Sequence, residues 1–166
     1  HIFSGIEMDI LPNATLDFSD DLLSELDFVI ASIHSGFTQS KEQIMERLRV
    51  ALENPYVNLI AHPTGRLIGS REGYAVDLEE LIQLAKDTQT ALEINANPHR
   101  LDLAAKWVKL AHEAGVHIAM NTDAHHVHGF RFMRYGVSVA NQALTPKEHV
   151  LNTWSLDKLQ DYLRRK

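Results

Sequence analysis

Cysteine is absent from the 166 residues. That excludes a disulfide framework and any thiolate zinc site. Glycine and proline are few, at 8 and 5, while apolar residues make up 45% and charged residues 23%. Collagen-like and disordered classes are excluded by this balance. No apolar run approaches the roughly 18 residues of a membrane span, and no signal-peptide pattern opens the sequence. A cytoplasmic protein without a membrane partner is expected. An excess of basic residues is missing too. There are 16 Lys and Arg against 22 Asp and Glu, a net charge of −6, which argues against nucleic-acid binding through bulk electrostatics. The length fits one domain, and a chain of about 150 residues can bury roughly 68–70% of its unfolded surface. What is plentiful is histidine, with 10 residues.

Short apolar runs alternate with segments of helical period. The runs cover residues 2–8 (IFSGIEM), 28–34 (FVIASIH), 57–62 (VNLIAH), 91–95 (ALEIN) and 116–122 (VHIAMNT). Bounded by turn signals, they read as buried parallel strands. The helical segments carry start and stop signals. Ser40 with Gln43 forms a capping-box pattern ahead of Ile44, Leu48, Ala51 and Leu52, and Asp77 with Glu80 precedes Leu81, Leu84 and Ala85. Asp102 is expected to open a helix bearing Leu103, Trp107, Leu110 and Ala114, which Gly115 ends. Ser155 caps a last helix that closes on Arg164, Arg165 and Lys166, a cationic end suited to the helix dipole. Strands alternating with helices imply an α/β fold of βα units around a parallel sheet. Residues 64–75 are expected to form a glycine-rich loop, and residues 125–134 a second long loop or irregular turn.

The polar residues fall at corresponding points of this rhythm. Glu7, His34, His62, Glu93 and Asp123 each lie at or just past the end of a strand, spaced 27, 28, 31 and 30 residues apart, and His125 follows Asp123 by two. In a parallel βα barrel all strand C-terminal ends open on one face, so these residues converge there. A lone histidine at a strand end is more often structural than a ligand. Five successive strands ending in ligand-type residues point instead to a metal site. Imidazole with carboxylate and no thiolate suits Zn, Mn or Fe, and a pair of ions about 3.5–4 Å apart can activate water against a phosphoester. Asp9 and Asn95 share a strand face with Glu7 and Glu93 by alternation. Asp9, Glu93 and Asn95 read as residues flanking the ligands. Arg66 and Arg71 follow His62 and suit bidentate phosphate binding, with solvated loop charges as an equal alternative. Arg100, Arg131 and Arg134 occupy comparable loops and could complete a local basic rim. His126 and His128 form an H-x-H past the last strand and read as solvated or substrate-side. His99, His112, His117 and His149 read as surface or core residues.

The segments GIEMDIL, DFVIASIH, HPTGRLIGSREGY, ALEINANPHRLDL, NTDAH and VLNTWSLDKL resemble the PHP (polymerase and histidinol phosphatase) domain. The resemblance covers nearly the whole chain, and is nearest to the PHP domain of bacterial-type family X DNA polymerases. It implies a distorted seven-stranded βα barrel with up to three metal ions. It also implies a manganese-dependent 3′-to-5′ exonuclease or related phosphoesterase activity in DNA repair, with DNA or another phosphoester reached through a parent polymerase. Carried over by motif, Glu7, His34, His62, Asp123 and His125 match metal ligands, with Glu7 bridging. Glu93 and Asn95 match a motif near the site. The family's first motif, an H-x-H at the end of the first strand, is missing, as are the further ligands that follow it before the Glu motif. By this resemblance residues 1–166 form a single partial PHP domain that starts near the third βα unit. Residues 139–144 (VANQAL) also lack the basic and aromatic residues expected there. Two other readings stay open: a non-catalytic interaction module of the polymerase, motivated by the missing motif, and a stand-alone phosphatase of the histidinol-phosphate type.

Overall fold

The computed structural model describes residues 1–164. The expected cationic end at Arg165 and Lys166 therefore lies outside the described residues. The strands are β1 (Gly5–Asp9), β2 (Phe28–Ser32), β3 (Val57–Ile60), β4 (Ala91–Asn95) and β5 (Ile118–Asn121). All pair in parallel in the sequential order β1-β2-β3-β4-β5. Such an order requires a crossover after every strand. The crossovers contain a short α1 (Asp20–Leu23), α2 (Lys41–Glu53), α3 (Leu78–Asp87) and α4 (Ala105–Ala114). Beyond β5 come a 3₁₀ segment (Val127–Phe132), α5 (Met133–Gln142) and α6 (Leu156–Leu163). No helix among the described residues is long and apolar enough to cross a membrane.

Local chemistry accounts for four of the helix ends. The Ser40 hydroxyl accepts from Gln43 N, and Gln43 Oε1 accepts from Ser40 N, completing the capping box of α2. Asp77 and Ser155 cap α3 and α6 through the amides of Glu80 and Lys158. Gly115 takes φ 96° and ends α4, a left-handed position that only glycine occupies without strain. One expected start is corrected. Asp102 does not open α4, which begins at Ala105 behind an Ala104 that makes no side-chain cap. Asp102 instead bridges to Asn95 and turns its carboxylate into the interior. The long loop or irregular turn expected over 125–134 contains the 3₁₀ segment and the first two residues of α5.

Between β2 and β3 the register slips, because Val29 pairs with Val57 while Ile30 pairs with Leu59. The skipped Asn58 supplies the missing acceptor from its side chain, taking the Val29 amide at 2.8 Å. The main core lies between the sheet and helices α2 to α5. Met8, Val29, Ala31, Ile60, Leu92 and Ile94 meet Ile44, Leu48, Leu81 and Val108 there. The opposite sheet face divides along the strands. Leu59, Ala91 and Ala119 make a smaller apolar cluster with Leu151 and Tyr162. By register, Glu7, Glu93, Asn95 and Asn121 fall on that same face toward the strand C-terminal ends. The apolar part is roofed by the C-terminal segment, and the polar part is where the candidate site forms.

Candidate metal centre

Glu7 is the middle residue of β1. His34 and His62 sit two residues beyond β2 and β3. Parallel pairing brings all three to one end of the sheet. Glu7 Oε1 stands 3.4 Å from His34 Nε2 and 3.3 Å from His62 Nε2. One donor atom from each of the three lies within 4.8 Å of the others. The two imidazoles hold the Glu7 carboxyl well below the usual carboxylate range, first through the hydrogen bond with His34 and then through that with His62. The same bond with Glu7 raises the His34 imidazole. The site therefore presents an anionic oxygen between two ring nitrogens, a donor set that fits a divalent transition-metal ion.

Surrounding groups fix these donors. Asp9 Oδ1 accepts the His34 amide at 3.1 Å and lies 3.9 Å from His34 Nδ1. Asp9 thus holds the His34 backbone, while Ser32 Oγ lies 3.2 Å from Nε2 of the ring. His62 is buried at φ 29°. Its amide donates to Glu93 Oε2 at 2.6 Å. The other Glu93 oxygen accepts from Asn121 Nδ2 at 2.8 Å. Glu93 is 3% exposed, and burial pushes its carboxyl up to about 7. Below the His62 turn, Asp102 Oδ2 accepts from Thr64 N at 2.9 Å, Thr64 Oγ1 at 2.8 Å and Gly65 N at 3.1 Å. Burial raises the Asp102 carboxyl as well.

Asp123 and His125 form a neighbouring pair that does not join the group of three. Asp123 takes φ 52°. Its Oδ2 lies 3.3 Å from both Asn95 Nδ2 and Arg100 Nε. His125 Nδ1 is 3.7 Å from Asp123 Oδ1 and 2.9 Å from the Asp123 carbonyl, with its side chain 84% exposed. Arg66 donates to the carbonyls of Arg100 (2.8 Å) and Leu101. Arg71 donates to the Gly65 carbonyl at 2.7 Å and stacks its guanidinium over Phe37 at 3.9 Å. Both arginines thus brace the loops that carry His62 and Arg100. His112, His117 and His149 pack in an aromatic group with Trp154 and Tyr162, away from Glu7.

Two contributors escape a reading from spacing, Asp102 and Asn121, while Arg100, expected on a basic rim, faces the Asp123 carboxylate. Asp102 carried a signal, since apolar Leu101 and Leu103 flank it in strand-like alternation rather than helical phase. Asn121 lies on β5 directly opposite Asn95, a pairing that only the register reveals.

A parallel α/β sheet with Glu and His donors gathered past its strand ends defines a candidate metal-binding α/β protein. The chain is 52% identical, over 99% of its length, to the DNA polymerase/3'-5' exonuclease PolX of Bacillus subtilis (strain 168), of which it spans 29%. It is 30% identical over 99% of its length to a protein named "Probable phosphatase" from Thermoanaerobacter sp. (strain X514), spanning 69% of it. A like-named protein of Caldanaerobacter subterraneus subsp. tengcongensis is 29% identical and is spanned over 66%. No protein-family model matches the chain. The chain belongs to the PHP (polymerase and histidinol phosphatase) family.

Proposed function

We propose that this chain is a metal-dependent phosphoesterase, the 3′-to-5′ exonuclease PHP domain of a family X DNA polymerase acting in cytoplasmic DNA repair. The observation that carries the reading is the convergence of Glu7, His34 and His62 within 4.8 Å. Identity to a polymerase/exonuclease along nearly the whole chain supports the substrate class. On this reading residues 1–166 are a partial PHP domain, and the five strands are units of a distorted seven-stranded barrel. Glu7, His34 and His62 would hold one Mn or Zn ion, or Fe. Asp123 and His125 would serve a neighbouring ion in a centre of up to three. A bound divalent ion supplies Lewis-acid stabilisation of phosphoryl oxygens and makes water a stronger nucleophile near neutral pH.

The chain's own groups prepare that chemistry. Glu7 is kept ionised by its two imidazole neighbours. Asp9 and Glu93 fix the backbones of His34 and His62 by accepting their amides. Asn95 and Arg100 hold the Asp123 carboxylate in place. Arg66 and Arg71, beside the His62 turn, are the candidates to orient a phosphate.

The test is Mn²⁺-dependent release of nucleotides from a labelled single-stranded DNA 3′ end. Wild type is expected to cleave, and Glu7→Gln and the pair Asp123→Ala with His125→Ala to lose at least about 100-fold, in line with loss of a ligand or its support. Unchanged rates in these variants would refute it. The open Asp123–His125 pair favours one second reading, a non-catalytic interaction module. A chain that binds Mn²⁺ but cleaves neither DNA nor a phosphomonoester would support that reading. Cleavage of a phosphomonoester alone would favour a stand-alone phosphatase, the activity named for two of the relatives.

A further inference from the structure

The segment past His125 breaks with the rest of the chain in charge. Residues 124–147 contain no Asp or Glu, although the chain has 22 of them. Arg131 and Arg134 lie there, both exposed, and neither forms an ion pair with any described residue. Two apolar side chains stand out among them: Val127 is 79% and Phe130 68% exposed. Exposed aromatic surface carries an unfavourable hydration free energy that a bound partner would relieve. The guanidinium of Arg134 lies over the Tyr135 ring at 4.7 Å and donates to the Tyr135 hydroxyl at 2.7 Å.

Packing places this surface beside the metal centre. A methyl group on Gly129 would stand 2.8 Å from Cβ of Ala124, so the 3₁₀ segment is seated on the turn that carries Asp123 and His125. One on Gly136 would stand 2.9 Å from Cβ of Ala96, so α5 is seated on the end of β4. The two close approaches fix the platform against strand ends already assigned to the site.

We propose that residues 127–135 form a single-stranded nucleic-acid platform, on which Phe130 stacks a base of the strand entering the site while Arg131 and Arg134 hold its phosphates. Exposed aromatics interleaved with cations are the chemistry that grips single strands without reading sequence. The acid-free stretch supplies positive potential on an otherwise acidic chain. The proposal rests on the phosphodiester reading of the metal centre for its substrate, but its test does not depend on cleavage.

The experiment is fluorescence anisotropy of a short labelled oligothymidylate with the chain in EDTA, across a salt series. Wild type binds, Phe130→Ala weakens binding roughly tenfold, and Phe130→Trp restores it. Arg131→Ala with Arg134→Ala lowers the slope of log K against log salt by roughly 1.4, two phosphates at about 0.7 each. Absence of binding by wild type, or affinities within twofold across the variants, overturns the proposal. So does sedimentation showing that Phe130 mediates self-association while oligonucleotide affinity is unaltered by Phe130→Ala. Loss of binding in Phe130→Ala together with a wild type that cleaves nothing in Mn²⁺ would sustain the platform and defeat only the nuclease reading.

Discussion

Replacing Glu93 by Gln tests whether the buried carboxyl behind His62 acts as the structure implies. Glu93 is 3% exposed, and its carboxyl is pushed from the ordinary 4.5 up to about 7 by burial. The folded state therefore holds a proton over a range where the unfolded chain has released it. Stability from this group is fully present below about pH 4.5 and is lost as pH rises through about 7. At about 1.4 kcal/mol per pH unit, that interval corresponds to about 3 kcal/mol. Gln keeps the shape and the acceptor for the His62 amide, and the Asn121 amide can turn to present its oxygen. The variant should match wild type near pH 4.5 and exceed it by about 2–3 kcal/mol near pH 8, both in EDTA. Urea denaturation followed by the fluorescence of Trp107 and Trp154 reads the difference directly. A stability difference that is the same at both pH values, or a variant that loses stability as pH rises, would refute the assignment.

Two further substitutions probe the frame of the site. Asp102→Ala strands the amides of Thr64 and Gly65 together with the Thr64 hydroxyl. It should cost about 2–4 kcal/mol in urea denaturation, and a loss under about 0.5 kcal/mol would contradict the role given to Asp102. Arg47 is wholly buried and donates to the carbonyls of Ile10 and Ser35 and to Gln39 Oε1, tying β1 to the loop after His34. Arg47→Met keeps much of the volume but leaves those acceptors unpaired, so thermal unfolding should report a loss of about 3 kcal/mol or more. An unchanged melting temperature would show that the tie is dispensable.

How far the sequence reveals this arrangement depends on the range of the forces involved. The five strands and the caps at Ser40, Asp77, Gly115 and Ser155 are legible because alternation and capping act over a few residues. The meeting of Glu7 with His34 and His62 is legible because parallel βα units repeat at near-constant length and deliver strand ends to one face. Asp102 misleads, because a carboxylate ahead of an apolar segment looks like a helix cap. Its true partners, Thr64 and Gly65, lie 38 and 37 residues away. Arg47 sits in the helical run of α2, where no local signal marks it as buried, and its acceptors come from Ile10 just past β1 and from the loop after β2. Gly136 lies where α5 approaches Ala96 too closely for a side chain, a contact between segments far apart in sequence. Spacing places Asp123 and His125 near the mouth. It does not show that the Arg100 guanidinium neighbours the Asp123 carboxylate.

Glu7, His34 and His62 are the proposed metal ligands. Anomalous diffraction from crystals grown with Mn²⁺, collected on both sides of the manganese edge, tests this assignment most directly. A manganese peak bounded by Glu7 Oε1, His34 Nε2 and His62 Nε2 is expected, and it should disappear in His62→Ala crystals. A map with no peak among those three atoms, at Mn²⁺ concentrations that populate other sites on the chain, would contradict the assignment.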